Sequence, residues 1–563
     1  KHAVYHQPPN GARTPSAAES RTIPTMSSTA RRPQRLTTSP TSPSGRTMAA
    51  NAVIVAAAFV ASRLLGMVRE IIIAAQFGTS PDYDAYVAAF RIPDLLFLVV
   101  MSGAFGSAFI PVFGGFLGRG DRERAWNLAS AILTYTIAIL TVTGIVVFAL
   151  AGTLMRDIVA PGLAPEQQTV ATNLTRLLLL SPLLLGLGAA AKGMLEAQDA
   201  FTLPAIAPVL YNVGIIVGAV ALAPAFGVYG LAIGVIIGAL AHAGIQFAGL
   251  IRRGARFRPI LARNIDGLGE VARLMGPRII GQAAFQINFV VMTNFASRLD
   301  ESRISAINYA YQIFMLPHGV LALSVSTVIF PTMARQFELG HIADLKATLD
   351  QALGPLLFLT IPSALGLYAF RTTIVQTLFE FGSFSAESTQ LVAEALGYFS
   401  LGLLAFAVVE AVTRAYYAMK DTRTPVITSV ATIAINIALS WFLAPRLGHG
   451  GLALSIALTT TIEMAVLLVV LARRIGGLGF DLYASFMRML VAGAIFAFVA
   501  NLLGGPLARA TDPADGRSIS QIGAIVVTFL AAGATYLVAA YYLRVPELRV
   551  VVQQVVGRFR RSA

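Results

Sequence analysis

The sequence predicts an all-α polytopic membrane protein of about fourteen transmembrane helices, built as two parallel six-helix repeats plus two C-terminal helices. Three observations carry that prediction. Apolar stretches long enough to span a bilayer recur along most of the 563 residues, basic residues collect in alternate loops, and motifs return after about 221 residues. Hydrophobic residues make up 56% of the chain and charged residues 12%, more apolar material than a soluble core of this length needs. The net charge of +14 would suggest nucleic acid, but its placement in alternate loops follows the positive-inside pattern. There is no cysteine, which excludes disulfides and thiolate chemistry.

Residues 1–47 are rich in Ser, Thr, Pro and Arg and predict a disordered basic cytoplasmic tail, or an over-long start with Met26 or Met48 as the true first residue. They do not read as a cleavable signal, because the apolar run comes too late and is too long. Apolar stretches at about 52–77, 83–117, 126–152, 170–194, 203–223 and 228–251 give helices 1–6 and an N-lobe over 48–258. Those at about 271–298, 304–334, 347–370, 388–418, 425–444 and 450–472 give helices 7–12 and a C-lobe over 259–476. Stretches at about 485–505 and 519–543 add helices 13 and 14 within 477–545, and 546–563 is a second basic cytoplasmic tail.

Arg119, Arg122 and Arg124, the run Arg252, Arg253, Arg256, Arg258 and Arg263, then Arg473, Arg474, Arg558, Arg560 and Arg561 mark one side as cytoplasmic. Asp82, Asp84, Asp157, Asp300, Glu301, Glu380, Asp512 and Asp515 fall on the other. An even number of spans puts both termini inside. The repeat is read from matched blocks: Gln198-Asp199 with Lys420-Asp421, Ala223-Pro224 with Ala444-Pro445, Arg252-Arg253 with Arg473-Arg474, and Phe109-Ile110-Pro111 with Ile329-Phe330-Pro331. Six helices per copy make the copies parallel, and transporters of that design bind substrate between their halves.

Polar residues at membrane depth concentrate in helices 1, 2, 7 and 8. Helix 1 carries Ser62, Arg63, Arg69 and Glu70, with Glu70 seven residues after Arg63 and Arg69 seven after Ser62, so the pairs share one sector. Each such charge costs about 2.5–3.5 kcal/mol at the bilayer centre unless it faces protein or water. Helix 2 carries Asp84, and Arg91 with Asp94 three residues on, a spacing at which the two can pair. Helix 7 has Arg278, Gln282 and Gln286 in one stripe, and helix 8 has Asn308, Gln312 and His318. Arginine outnumbers acid in this set, which predicts a cationic cavity for an anionic headgroup. Two competing readings are an interfacial anchor with snorkelling arginines and a purely structural set of ion pairs. Glu410 and Arg414 read as a structural i,i+4 pair. No zinc-protease, phosphate-loop or Cys/His metal motif occurs in the sequence, so ATP-driven transport within this chain is not expected.

The run Ser62-Arg63-Leu64-Leu65-Gly66-Met67-Val68-Arg69-Glu70, then Phe90-Arg91-Ile92-Pro93-Asp94-Leu95-Leu96, Gly103-Ala104-Phe105 and Lys420-Asp421-Thr422, resembles the MurJ (MviN) lipid II flippase family over about residues 50–545. The resemblance implies fourteen helices in two lobes and membership of a larger exporter superfamily. It also implies transport of undecaprenyl-pyrophosphate-linked peptidoglycan precursor across the bacterial cytoplasmic membrane by alternating access. It implies Ser62, Arg63, Arg69 and Asp84 as functional positions, with Arg69 meeting the pyrophosphate. With Arg91 and Arg278 these make the expected substrate-binding set. No cofactor is expected; coupling to the membrane potential, a monovalent cation or protons is compatible with the family, with no ligands assigned. Expected partners are the lipid-linked precursor, membrane lipids and cell-wall synthesis proteins, and no nucleic acid.

The chain departs from the family's usual pattern at four places. Phe97 stands where an arginine is usual, Ser102 where a glutamate is usual, and Gln312 and Met315 where an arginine and a glutamate are usual. Arg278 is the candidate replacement cation. These departures leave two alternatives beside lipid II transport: a flippase for another polyprenyl-linked oligosaccharide, and a non-transporting membrane scaffold.

Overall fold

In the computed structural model, the residues described are 45–101, 108–477, 479–510 and 519–553. Most of the 1–47 tail, the Gly103-Ala104-Phe105 motif and Ser102 therefore lie outside the described residues, as does the basic tail beyond 553. The elements in chain order are α1 (Gly45–Phe77), α2 (Pro81–Met101), α3 (Ile110–Gly118), α4 (Arg122–Thr153), α5 (Pro165–Leu178), α6 (Leu180–Glu196), α7 (Thr202–Val217), α8 (Ala223–Phe226) and α9 (Val228–Arg252). They continue with α10 (Leu268–Ser297), α11 (Arg303–Glu338), α12 (Ile342–Ala369), α13 (Arg371–Phe379), α14 (Ala386–Ala418), α15 (Arg423–Ile475), α16 (Phe480–Ala510) and α17 (Ile519–Tyr542). No strand occurs among the described residues. Nine described helical segments are long and apolar enough to cross a membrane. A helix is the form in which an apolar run satisfies its own backbone without water, which is why composition alone placed these elements. The molecule is an all-helical polytopic membrane protein.

Turn chemistry sets where the rods stop. Gly78, Gly120, Gly254, Gly340, Gly382 and Gly476 take positive φ at or just past helix ends, where a side chain would be strained. Pro182 splits one span into α5 and α6, since it cannot donate to the carbonyl of Leu178. α15 is two rods joined at Gly448, whose φ of 56° and ψ of −142° nearly repeat Gly227 between α8 and α9, at 56° and −137°. Positive φ also recurs in the pairs Gly120 and Gly340, Asp199 and Lys420, and Gly254 and Gly476, at offsets of 220 to 222 residues. The backbone thus carries the repeat that the sequence motifs announced.

Packing is tightest where side chains vanish. A Cβ on Gly214 of α7 would lie 2.3 Å from the Cα of Gly238 on α9, and one on Gly218 would lie 2.5 Å from Gly234. The two helices touch backbone to backbone along this small-residue stripe. One buried cluster lies within the first half of the chain around Phe109, Phe113 and Leu128, and one within the second half around Leu353, Phe358 and Phe496. The largest joins both halves through an aromatic seam, in which Tyr83 of α2 stacks on Tyr309 of α11 at 5.1 Å and Tyr309 meets Phe379 at 5.2 Å. α16 and α17 lie on α12, where the Tyr536 hydroxyl donates to the Phe358 carbonyl at 2.9 Å. The basic segment between α9 and α10 is strapped to α4: Arg258 N donates to Ser130 Oγ at 3.2 Å and Ile260 N to Thr134 Oγ1 at 3.1 Å. The expected Glu410–Arg414 pair forms at 2.7 Å.

Asp421 fastens both ends of α15. Its Oδ1 accepts from Arg423 N and Thr424 N, each at 3.0 Å, and its Oδ2 accepts from Thr424 Oγ1 at 2.6 Å and pairs with Arg474. Burial alone would raise this carboxyl, but the Thr424 hydrogen bonds and the Arg474 guanidinium outweigh it and hold the group below its ordinary value. A carboxylate lowered by folding stabilises the fold above its unfolded pKa and loses that contribution as pH falls through the folded one. Asp421→Asn should weaken the start of α15 by about 1 kcal/mol at pH 7, seen as roughly fivefold faster amide exchange over residues 423–428. The gap between variant and wild type should close as pH falls below about 4.

Candidate functional site

α1 and α2 together bring four charges to one cavity of about 210 Å³. Arg69 and Glu70 enter it from α1, Arg91 and Asp94 from α2, and Asn308 and Gln312 from α11, with Tyr83, Tyr86 and Tyr211 forming its aromatic wall. α7 contributes Tyr211 and holds Asn212 just behind the lining.

Arg69 is fully engaged. Its Nε donates to Glu70 Oε1 at 3.1 Å, an Nη group also pairs with Glu70, and Nη1 donates to Asn212 Oδ1 at 3.0 Å. Asn212 is fixed in turn by donating to the Ser62 carbonyl at 3.2 Å and the Pro208 carbonyl at 3.1 Å. Glu70 is only 6% exposed, and Arg69 supplies the opposite charge and hydrogen bonds that a buried carboxylate requires. The pair is a locally neutral, rigid unit.

Arg91 is held differently. The i,i+3 spacing led us to expect an ion pair with Asp94, but none forms. The guanidinium crosses to α10, where Nε donates to Thr293 Oγ1 at 2.8 Å and the group lies 5.5 Å from the centre of the Phe289 ring. A hydroxyl and an aromatic face on the neighbouring helix outcompete a carboxylate on the same helix. The two terminal nitrogens of Arg91 have no hydrogen-bond partner among the described residues, and Asp94 lines the same cavity with no ion pair within 4 Å among them.

Three expected site residues stand elsewhere. Arg63 is exposed and does not line the cavity; its guanidinium lies 5.6 Å from the Phe59 ring and beside Gly319 of α11. It shares a face with Glu70, but seven residues of helix set it about 10 Å along the axis, beyond the cavity's end. Ser62 is half-buried and acts through its carbonyl on Asn212. Asp84 is buried at the first turn of α2 and accepts from Ser305 N of α11 at 2.7 Å, joining the two halves of the chain rather than meeting the cavity. Arg278 lies in α10, but its side chain is outside the described residues, as is that of Gln282. Among the described residues the lining holds two arginines and two acids, and the guanidinium nitrogens without a partner in it are the two terminal ones of Arg91.

Asn212 and Thr293 were missed from sequence. Asn212 is an isolated amide in an apolar stretch, and that isolation was the available signal; Thr293 lies beside Asn294 in a helix with several polar residues, and nothing in its spacing set it apart. Among the described residues, no group of three or more His, Asp or Glu side chains is placed to hold a metal ion.

The family model described as lipid II flippase MurJ matches residues 73–509. Lipid II flippase MurJ of Burkholderia cenocepacia is 32% identical over 429 residues, 73% of this chain and 81% of that protein. The probable lipid II flippase MurJ of Rhizobium meliloti is 32% identical over 504 residues, 86% of this chain and 92% of that protein. A solved lipid II flippase MurJ in an inward closed conformation superposes with a TM-score of 0.73 at 25% identity, covering 87% of this chain and 99% of its own. An inward-facing multidrug MATE transporter of the MOP superfamily shares the fold, with a TM-score of 0.65 at 15% identity, over 74% of this chain and 94% of its own. A model match over most of the chain, relatives at this identity and a shared fold lead to one conclusion: the chain belongs to the lipid II flippase MurJ family.

Proposed function

We propose that the chain carries lipid II, the undecaprenyl-pyrophosphate-linked peptidoglycan precursor, from the inner to the outer leaflet of the bacterial cytoplasmic membrane by alternating access. The observation that carries this reading is the cavity, where Arg91 offers two uncommitted guanidinium nitrogens beside the braced Arg69. A guanidinium reads phosphate oxygens in pairs, and these charge-assisted bonds strengthen where water is scarce. Arg91 makes first contact with the diphosphate. Arg69, already oriented by Asn212, then exchanges part of its bonding with Glu70 for phosphate. Glu70 and Asp94 keep the empty cavity from holding bare positive charge and repel the headgroup enough to let it leave.

A cavity of about 210 Å³ is smaller than the roughly 300–1,000 Å³ of ordinary ligand pockets. It suits a diphosphate and is too small for a sugar–peptide headgroup, so loading requires the halves to part. We assign the halves to residues 48–258 and 259–476, with α16 and α17 as an addition over 477–545. Fourteen crossings, the Arg-rich loops inside and both termini cytoplasmic complete the proposed topology. The membrane potential, a monovalent cation or protons drive the cycle in this reading, and contact with cell-wall synthesis proteins belongs to it as well.

Gln312 in the lining gives a second reading some support, since a neutral residue there relaxes the demand for one particular headgroup. That reading is a flippase for another polyprenyl-linked oligosaccharide. Native mass spectrometry of the purified protein with lipid II, and with undecaprenyl pyrophosphate bearing an unrelated sugar, separates the two. Preference for lipid II supports the first; equal, arginine-dependent binding supports the second; binding of neither overturns both. Arg91→Ala should weaken lipid II binding by at least about tenfold, and Arg63→Ala by less than about threefold. Arg69→Ala strands Glu70 in the interior, so it should lower thermal stability as well as binding. Pairing it with Glu70→Gln should recover most of the stability and little of the binding.

A further inference from the structure

Two turns from opposite halves of the chain grip the ends of two helices by the same contact. In the turn between α13 and α14, Gly382 has φ +57°, and a Cβ on it would lie 2.2 Å from the carbonyl oxygen of Ala75 in α1. The next residue, Ser383, donates its N–H to that same oxygen at 2.8 Å. Gly78, which ends α1 with φ +54°, reciprocates: a Cβ there would lie 2.4 Å from the Ser383 carbonyl oxygen. In the turn before α5, a Cβ on Gly162 would lie 2.1 Å from the carbonyl oxygen of Ser297 at the end of α10, and Gly162 N donates to Ser297 Oγ at 3.2 Å.

Ala75 and Ser297 are 222 residues apart, and Gly162 and Gly382 are 220 apart, within the offsets of the backbone repeat. The two close approaches of glycine to carbonyl are repeat-related, although the adjoining N–H bond goes to a carbonyl in one and to a hydroxyl in the other. Asp84 and Ser305 are 221 apart and bond to each other, which places that bond near the axis relating the halves. All of these residues lie at the end of the bundle that carries the 78–80, 160–164, 298–302 and 380–385 turns. Among the described residues, no ion pair joins the two halves at that end. The contacts are neutral hydrogen bonds to carbonyls and hydroxyls, which water can replace without stranding a charge. The approach is so close that closure leaves no room even for a methyl group.

We infer that Gly162 and Gly382 are positioning residues for transport: paired, repeat-related clasps that shut this end of the path, both of which must release for cargo to leave. By the loop charges this is the outer end. The assignment rests on the transport reading, but its test reads closure directly and does not use cargo.

The chain contains no native cysteine, so an introduced pair reports alone. Thr79 Oγ1 and Ser388 Oγ, from opposite halves beside the Gly382 clasp, lie 2.8 Å apart. Thr79→Cys with Ser388→Cys in the full-length protein in nanodiscs should form a disulfide readily on oxidation. Adding Gly382→Ala or Gly162→Ala should slow its formation by at least about fivefold, since each methyl must push a backbone away. Gly120→Ala is the control: Gly120 has φ +77° but nothing within 4 Å of its Cβ position, so it bears the local strain without touching a clasp. Crosslinking unchanged in both clasp variants, or slowed equally by Gly120→Ala, overturns the inference. If a clasp variant fails to fold, Ser297→Ala removes the acceptor for Gly162 N without adding bulk and should still slow crosslinking; no change there also overturns it. Absence of lipid II binding by the wild type would instead count against the cargo assignment and leave the clasp result standing.

Discussion

A guanidinium at membrane depth must be answered by its surroundings, and most of the centre of this molecule follows from that requirement. Arg69 is answered by the residue next to it, by an asparagine on α7, and through that asparagine by the carbonyl of Ser62. This chain of bonds ties α1 to α7 at one level and fixes where α2 can lie. Arg91 on α2 then reaches across to Thr293 and Phe289 of α10, so that two arginines orient helices from both halves. The aromatic seam of Tyr83 and Tyr309 sits next to these charges and keeps the cavity walls dry where they are not polar. Removing either member of the Arg69–Glu70 pair would leave the other as an uncompensated charge, a larger loss than that of the bond itself.

The repeat is symmetric in backbone and one-sided in charge. At an offset of 221 residues, Arg69 and Glu70 correspond to Val290 and Val291, and Arg91 and Asp94 to Gln312 and Met315. The second half thus supplies neutral and apolar surface opposite the charges of the first. In the transport reading proposed above, a diphosphate drawn to these arginines would be held off the axis, against α1 and α2, and transport would amount to moving the second half around a ligand anchored on the first.

The helices were legible because an apolar run of membrane length has few other ways to satisfy its backbone. The repeat was legible for the same reason in its loops, where Gly227 and Gly448 must both take a conformation that favours glycine. Partner choice was much less legible. Asp94 is three residues from Arg91 and Thr293 is about two hundred away, and sequence spacing cannot weigh a near acid against a distant hydroxyl that folding delivers. Helical periodicity put Arg63 on the same face as Glu70 but said nothing about how far along that face the cavity extends. Asp84 entered the expected site through the family resemblance alone; its bond to Ser305 N makes it a connector between the halves. Asn212 carried only the weak signal of an isolated amide in an apolar helix, and Thr293, one of several polar residues in its helix, carried none.

The glycine stripe between α7 and α9 bears on the mechanics of the molecule. Two rods whose backbones touch at Gly214 with Gly238, and again at Gly218 with Gly234, cannot slide past one another without collision at the next residue. That pair is stiff in shear, and the helices attached to it inherit the stiffness. Compliance is therefore concentrated in the seam between the halves, where, away from the glycine contacts at its outer end, the two sides meet through aromatic faces and single hydrogen bonds. A molecule built this way stores little elastic energy inside its first half. Its build favours a hinge between rigid plates over a bending sheet.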